Sequence, residues 1–280
     1  MAWHLTDSIE IYAEHVWDLL SVRADLNTLA LTQIASADAD KLWAGDEPTF
    51  AWWSHAGRTL GAVSLTPPYE MLLNVVPDEA LEDLVTALRR NGIAVPGVDG
   101  VPDTAVRFAE LWTAGTSQPT VLTRRLRLYS TEQPVTPELP AAGRARLAGD
   151  DEFELIVGWY GEFGREMGDR PVGASRFVRE RIDAGLAWLW EDEEGAPVSL
   201  AARHQPAAGV SRVGPVYTPP EHRRHGFGAA VTAACTRHAL ATDSTTAVLF
   251  TDVANPTSNA IYQRIGYRPL EDRVVLSFAP

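Results

Sequence analysis

The sequence predicts an α/β protein of two domains, and three observations carry that prediction. The chain is 280 residues long, enough for one large domain or two of ordinary size, and 45% of it is hydrophobic, enough for a real core. Helical and strand-like apolar spacings alternate along it, and the order of elements in the first half recurs in the second. Between the halves, STEQPVTPELPAAGRARLAGDDE is rich in Pro, Gly and Ala and has no steady apolar period, which reads as a linker with one short helix near Ala141–Leu147. The expected division is residues 1–130, a linker over 131–150, and residues 151–280.

In the first half, IEIYAEHVWDLLSV and NTLALTQIA carry helical spacing, TFAWWSHAG and TLGAVSLT form a hairpin, and EMLLNVV is a strand. DEALEDLVTALRR and DTAVRFAELW are helices separated by a weak strand near Gly92–Val95, and TVLTRRLRLYS closes the half as a strand. Trp52 and Trp53 are adjacent in a strand and so face opposite sides, which assigns one of them to a surface or an interface.

In the second half, Phe153, Ile156, Val157, Tyr160 and Phe163 recur at helical spacing, and RFVRERIDAG is a shorter helix. LAWLWEDEEGAPVSLAARH is a hairpin whose EDEEG turn is expected in solvent. VSRVGPVYT is a strand, GAAVTAACTRHALA a helix and TAVLFTDVA a strand. NPTSNAIYQRIG is a helix with Asn255 as cap and Pro256 at its first position, and RVVLSFA is the last strand. The shared order of elements points to a degenerate internal duplication, although any two α/β domains share such an order at this resolution.

The bulk chemistry excludes several functions. With 37 acidic against 24 basic residues and a net charge of −13, the chain is unsuited to broad nucleic-acid or polybasic membrane binding. It shows no apolar run long enough to span a bilayer and no secretory pattern at its start. The single cysteine, Cys235, permits no intrachain disulfide and no thiolate metal site, so a cytoplasmic protein without a metal is expected. That cysteine lies on an Ala-rich helix and reads as buried and inert.

Against this acidic background, PPEHRRHGFGAAVTAAC gathers His222, Arg223, Arg224 and His225 before two glycines and a helix. Amides in a first helical turn lack intrahelical partners and carry the positive end of the dipole, and a Gly-rich turn lets a phosphate reach them. Arg223-Arg224-His225-Gly226-Phe227-Gly228-Ala229 is therefore a candidate pyrophosphate cradle. It lacks the lysine of a nucleotide-hydrolysing P-loop, and no dinucleotide fingerprint is visible.

The stretch Arg223-x-x-Gly226-x-Gly228, after strand VGPVYT and before a long helix, a strand and NPTSNAIYQRIGYRP, resembles the GNAT superfamily of acyl-CoA-dependent N-acyltransferases. The resemblance covers roughly residues 150–280 and is most specific across 210–270. It implies a mixed, centrally splayed sheet flanked by helices, here as two tandem GNAT-like domains. It implies acetyl-CoA as acyl donor, with residues 223–229 on its pyrophosphate. Pro215 marks a bulge or edge in its strand, and the resemblance places the pantetheine arm on the main chain of Val216, Tyr217 and Thr218. Asn255 and Asn259 match polar positions that contact that arm, and Asn255 is equally a helix cap. Tyr262 matches a tyrosine beside the coenzyme sulfur, where it stabilises the departing thiolate by a hydrogen bond.

Arg212 stands where some relatives carry a glutamate base. That departure leaves Glu162, Glu166, a water chain or His204 as alternatives for the acceptor's proton. In the first half, Asp78, Glu79, Glu82 and Asp83 fill the corresponding helix start and repel a phosphate, which leaves that half to wall the acceptor pocket or mediate association. The expected activity is acetyl transfer to a primary amine of a small molecule or peptide. A non-catalytic acyl-CoA-binding or sensing module is the alternative, transfer from charged tRNA is disfavoured by the acidic composition, and a homodimer remains open.

Overall fold

The computed structural model describes residues 1–36, 47–135, 141–168 and 173–278. The first half runs β1 (Ala2–Thr6), α1 (Ile9–Ser21), α2 (Thr28–Ala35), β2 (Thr49–His55), β3 (Arg58–Leu65), β4 (Met71–Val75), α3 (Leu81–Arg90), β5 (Gly97–Gly100), α4 (Pro102–Thr113) and β6 (Thr120–Thr131). The second runs β7 (Arg144–Leu147), α5 (Phe153–Met167), α6 (Ala174–Asp183), β8 (Ala187–Glu191), β9 (Pro197–Arg203), β10 (Val210–Tyr217), α7 (Phe227–Thr242), β11 (Thr246–Asp252), α8 (Pro256–Arg264) and β12 (Arg268–Phe278). Among the described residues the two halves have the same order: strand, two helices, three strands, helix, strand, helix, strand. Both opening strands, β1 and β7, escape the sequence reading. They are five and four residues long, too short for alternation to stand out.

The chain forms two compact units, one of residues 1–128, 251–254 and 270–280, the other of residues 129–250 and 255–269. In the first unit β1 to β4 pair antiparallel in sequence order, β4 pairs parallel with β5, and Val274–Ser277 of β12 pairs antiparallel with Gly97–Gly100. The end of the chain thus completes the sheet of the first unit. Its Leu276 and Phe278 enter a core with Trp53, Leu73, Leu84 and Phe108.

In the second unit β7 to β10 are antiparallel and β10 pairs parallel with β11. This sheet is covered on both faces. On one, Val213 and Leu249 pack with Val231 of α7 and with Tyr267, and on the other Leu189, Leu200 and Tyr217 pack with Ile156 and Trp159 of α5.

Several local expectations change. Residues 144–147, expected in a helix, form β7, because Arg144 and Arg146 alternate outward and both reach the carboxylate of Glu191 across the ladder. Glu191 is accordingly buried, whereas Glu193 and Glu194 of the turn are exposed. The strand expected near Gly92–Val95 forms five residues later, at Gly97–Gly100, after a turn that ends α3. Both tryptophans of β2 are buried: Trp53 enters the core, and Trp52 is covered by the stacked rings of His15 and His4, at 4.1 and 5.2 Å. Part of the expected linker, 136–140, lies outside the described residues.

Arg273 of β12 is 4% exposed and donates from Nε to Asp99 Oδ1 at 2.8 Å and from Nη2 to Asp99 O at 3.1 Å. Asp99→Ala leaves a buried guanidinium with the main-chain carbonyl of residue 99 and, among the described residues, Glu271 at 3.5 Å as its remaining carboxylate. Urea denaturation of this variant is expected to show a loss of about 3 kcal/mol; a loss near zero contradicts the assignment of this pair as the anchor of β12.

Candidate functional site

The site begins where two strands part. β10 and β11 pair only over Val210–Arg212 against Thr246–Val248, although β10 continues to Tyr217 and β11 to Asp252. On its other edge β10 is bulged: Val213 pairs with Arg203 and Val216 with Ala201, so three steps on one strand match two on the other. The bulge that Pro215 predicted is present. It resets the alternation of faces, so Val213 and Val216 both pack toward α7, while Tyr217 packs toward α5. The main chain of Val216–Thr218 therefore borders a gap that β11 does not fill.

Thr218 is fixed at the exit of β10. Its hydroxyl lies 2.8 Å from Ser199 Oγ, which also donates to Tyr217 O at 3.0 Å. Pro219 and a 3-10 turn at Pro220–His222 follow, and then the chain turns sharply into α7. Arg224 has φ +70 and Gly226 has φ +83, a left-handed conformation that glycine adopts without strain and arginine does not. Gly228 is needed for a different reason: a Cβ there would stand 3.2 Å from Thr218 Oγ1.

The tip of α7 carries no side-chain cap and no acidic residue in its first turn. The first amide to find an intrahelical acceptor is that of Ala230, bonded to Gly226 O at 3.0 Å. The amides of Phe227, Gly228 and Ala229 thus point outward at the positive end of a sixteen-residue helix.

The cationic side chains around this tip divide. Arg223 is engaged within the protein: Nε donates to Thr218 O at 2.9 Å and Nη2 to Glu166 Oε1 at 2.5 Å. Arg224 is exposed and makes no ion pair among the described residues. His225 stacks on Phe227 with ring centroids 5.5 Å apart.

α8 supplies the remaining expected residues. Asn255 caps the helix, accepting from Ser258 N at 3.0 Å, and Pro256 occupies the first helical position as predicted. Asn259 accepts from Tyr129 Oη at 2.8 Å and donates to Asn255 O at 2.6 Å, so both asparagines also hold the protein itself. Tyr262 packs among Tyr129 and Tyr267, and its hydroxyl has no hydrogen-bond partner among the described residues. Burial pushes its pKa up to about 12. The group stays protonated at neutral pH and offers a donor rather than a ready proton.

Opposite, α5 and the end of β10 enclose a cavity of about 320 Å³ lined by Trp159, Glu162, Arg165, Glu166, Tyr217 and Glu221. Tyr217 Oη donates to Glu162 Oε2 at 2.9 Å, and burial together with that carboxylate pushes the phenol up to about 12. Glu162 is half exposed and faces this cavity, whereas Glu166 is tied to Arg223. His204 is surrounded by cations: burial, Arg212 and Arg181 hold its pKa well below the usual imidazole range, which makes it a poor base.

Trp159, Arg165, Glu221, Ser199 and Tyr129 escaped the sequence reading. Tyr129 closes the last strand of the first half, yet it is fully buried in the second unit beside Tyr262. No local pattern announces that placement.

Antiparallel strands followed by one parallel pair that splays at a bulge, with a Gly-rich turn into a helix, define the GNAT fold, and the resemblance read from the loop is borne out. Residues 194–276 match the family model described as FR47-like protein. A GNAT-family acetyltransferase from Colwellia psychrerythraea superposes with a TM-score of 0.62 at 11% identity, covering 100% of both chains. A GCN5-related N-acetyltransferase from Sphaerobacter thermophilus gives 0.66 at 16% identity, covering 99% of this chain and 95% of that one. A tandem GNAT protein from the clavulanic acid biosynthesis pathway gives 0.56 at 11% identity, with 99% and 98% covered. No curated protein matches the sequence.

Two measurements check this geometry. Gly226→Ala forces a Cβ into the left-handed region and is expected to lower stability by about 1–2 kcal/mol in denaturant unfolding. Raised phenol pKa values mean that the folded state keeps protons which the unfolded state releases near pH 10, so stability is full below pH 10 and falls toward pH 12. Unfolding at pH 9 and pH 11 tests this, and Tyr262→Phe is expected to flatten the fall; a stability that rises with pH contradicts the burial of these phenols.

Proposed function

We propose that the second unit transfers an acetyl group from acetyl-CoA to a primary amine. The observation that carries this reading is the uncapped tip of α7, set behind a left-handed turn and next to the gap between β10 and β11. An outward-facing set of amides with Arg224 beside it suits a diphosphate, and a strand edge left without its neighbour suits an amide-bearing arm. Residues 224–229 would hold the pyrophosphate, and the main chain of Val216–Thr218, with Asn255 and Asn259 at the start of α8, would face the arm. Arg223 serves this site indirectly, by fixing Thr218 O and Glu166.

Acetyl-CoA supplies a thioester, whose carbonyl carbon forms the new C–N bond as its C–S bond breaks. The rest is the work of this chain's side chains. The cavity beside α5 admits the amine, and Glu162, with Tyr217 locked on its other oxygen, accepts the amine proton directly or through water. Tyr262 donates a hydrogen bond to the departing sulfur; a phenol at about 12 stabilises the thiolate without surrendering its proton.

Calorimetry with acetyl-CoA tests the binding half. Arg224→Glu places a negative charge at the helix tip and is expected to weaken binding by about tenfold or more; unchanged affinity counts against the loop. Thiol release with an amine panel tests the chemical half. Tyr262→Phe is expected to lower kcat about tenfold or more with little change in KM for acetyl-CoA. Binding without thiol release from any amine would instead assign the protein as an acyl-CoA-binding module.

A further inference from the structure

One side chain touches both sides of this site. Arg223 stands in the turn between β10 and α7, next in the chain to Arg224 and three residues before Gly226. Its Nε donates to Thr218 O at 2.9 Å, on the main chain that borders the gap between β10 and β11. Its Nη2 donates to Glu166 Oε1 at 2.5 Å, and Glu166 lines the cavity beside α5. Its Cζ lies 5.9 Å from the centre of the Tyr217 ring, whose hydroxyl holds Glu162 at 2.9 Å.

The way Arg223 is held sets it apart from the structural arginines. Arg203 is 3% exposed and meets both oxygens of Asp243, from Nη1 at 3.1 Å and from Nη2 at 2.7 Å. Arg223 and Glu166 are 42% and 47% exposed, and the guanidinium meets the carboxylate through Nη2. An ion pair this open to water is screened and is worth at most about a fivefold preference. It keeps the side chain in place and yields to an anion with more charge and more acceptor oxygens. A diphosphate seated on the α7 amides is such an anion, and a guanidinium fork suits it better than a single carboxylate oxygen.

Glu166 has a use once its cation leaves. The cavity is lined by Glu162, Glu166 and Glu221, and Arg165 stands 3.9 Å from Glu162. Arg223 neutralises Glu166. Turning Arg223 toward the helix tip therefore makes the cavity more negative without any movement of α5, and a more negative cavity draws an ammonium ion more strongly. The same turn frees Thr218 O to accept from an amide of the donor's arm.

We propose that Arg223 is a latch that couples the two sides of the site: closed on Glu166 it masks a carboxylate of the acceptor cavity, and drawn to the donor's diphosphate it exposes that carboxylate to the incoming amine. The inference rests on the reading of the α7 tip as the diphosphate site and of the α5 cavity as the acceptor site. The coupling is reciprocal, so the factor by which the donor strengthens amine binding is the factor by which the amine strengthens donor binding. Its size is capped by the strength of the latch, about fivefold, because opening the latch is the step that both ligands share.

Calorimetry on the full chain with CoA, which carries the diphosphate but no acetyl group to transfer, tests the latch. Glu166→Gln keeps the side-chain shape and removes the anchor, so CoA affinity is expected to rise about two- to fivefold. Removing a negative charge near an anion site strengthens binding by itself, so the same substitution is also made on Arg223→Gln, where the rise is expected to vanish. On Arg223→Lys it is expected to return in part. An equal rise with and without Arg223, or no rise in either, overturns the latch. A wild-type protein that binds no CoA overturns the diphosphate reading and the latch with it. The reciprocal arm uses the amine that releases thiol fastest from acetyl-CoA: at saturation it is expected to raise CoA affinity in the wild type by the same factor, and to leave Glu166→Gln unchanged. No effect of that amine on the wild type overturns the coupling, and this comparison needs no variant to fold. If no amine releases thiol, the acyl-transfer reading fails, and the CoA cycle over Glu166 and Arg223 still decides whether the latch exists.

Discussion

The bulge between Val213 and Val216 is the constraint on which the rest of the second unit depends. Without it, Tyr217 would share a face with Val213 and turn toward α7, away from Glu162. The bulge also ends the sequence of regular pairs on β10 just past Arg212, the last residue paired with β11. One irregularity thus opens a strand edge, aims a phenol at a carboxylate, and sets the exit direction of the chain into the turn at Arg224–Gly226.

The first unit repeats the scaffold and reverses its charge. Its β4 and β5 also pair parallel over a short stretch, Met71–Leu72 against Val98–Asp99. The helix that follows β4 is entered through a 3-10 turn at Asp78–Ala80, with Glu82 and Asp83 in its own first turn, where α7 has a bare glycine turn and no acid. Carboxylates near a helix start suit the dipole and occupy the region an anion would take. The same backbone order therefore supports an anion-accepting tip in one unit and an anion-repelling one in the other.

Electrostatic pairing also separates the structural arginines from the others. Arg127, Arg203 and Arg273 each meet an aspartate in close geometry, and these pairs fix strands or strand ends. Arg223 is an intermediate case, since Glu166 and the carbonyl of Thr218 hold it in place beside the helix tip. Arg181, paired with Glu180, and Arg212 both reach the imidazole of His204.

The local pieces were legible in the chain. The Asn255–Pro256 helix start, the glycines of the α7 turn, the proline-marked bulge and the acidic α3 start are all set by bonds and sterics within a few residues. Longer elements were legible because an apolar period survives over ten residues or more. Packing settled the rest, because the partners involved are far apart in the chain. β7 is a strand because Glu191 receives Arg144 and Arg146; Trp52 is buried because His15 on α1 covers it; β12 completes the first unit's sheet because Arg273 finds Asp99. Tyr129, nominally the end of the first half, packs beside Tyr262, and Arg181 meets Arg212 at His204. Such meetings depend on strand register and helix packing, which no short window of residues encodes.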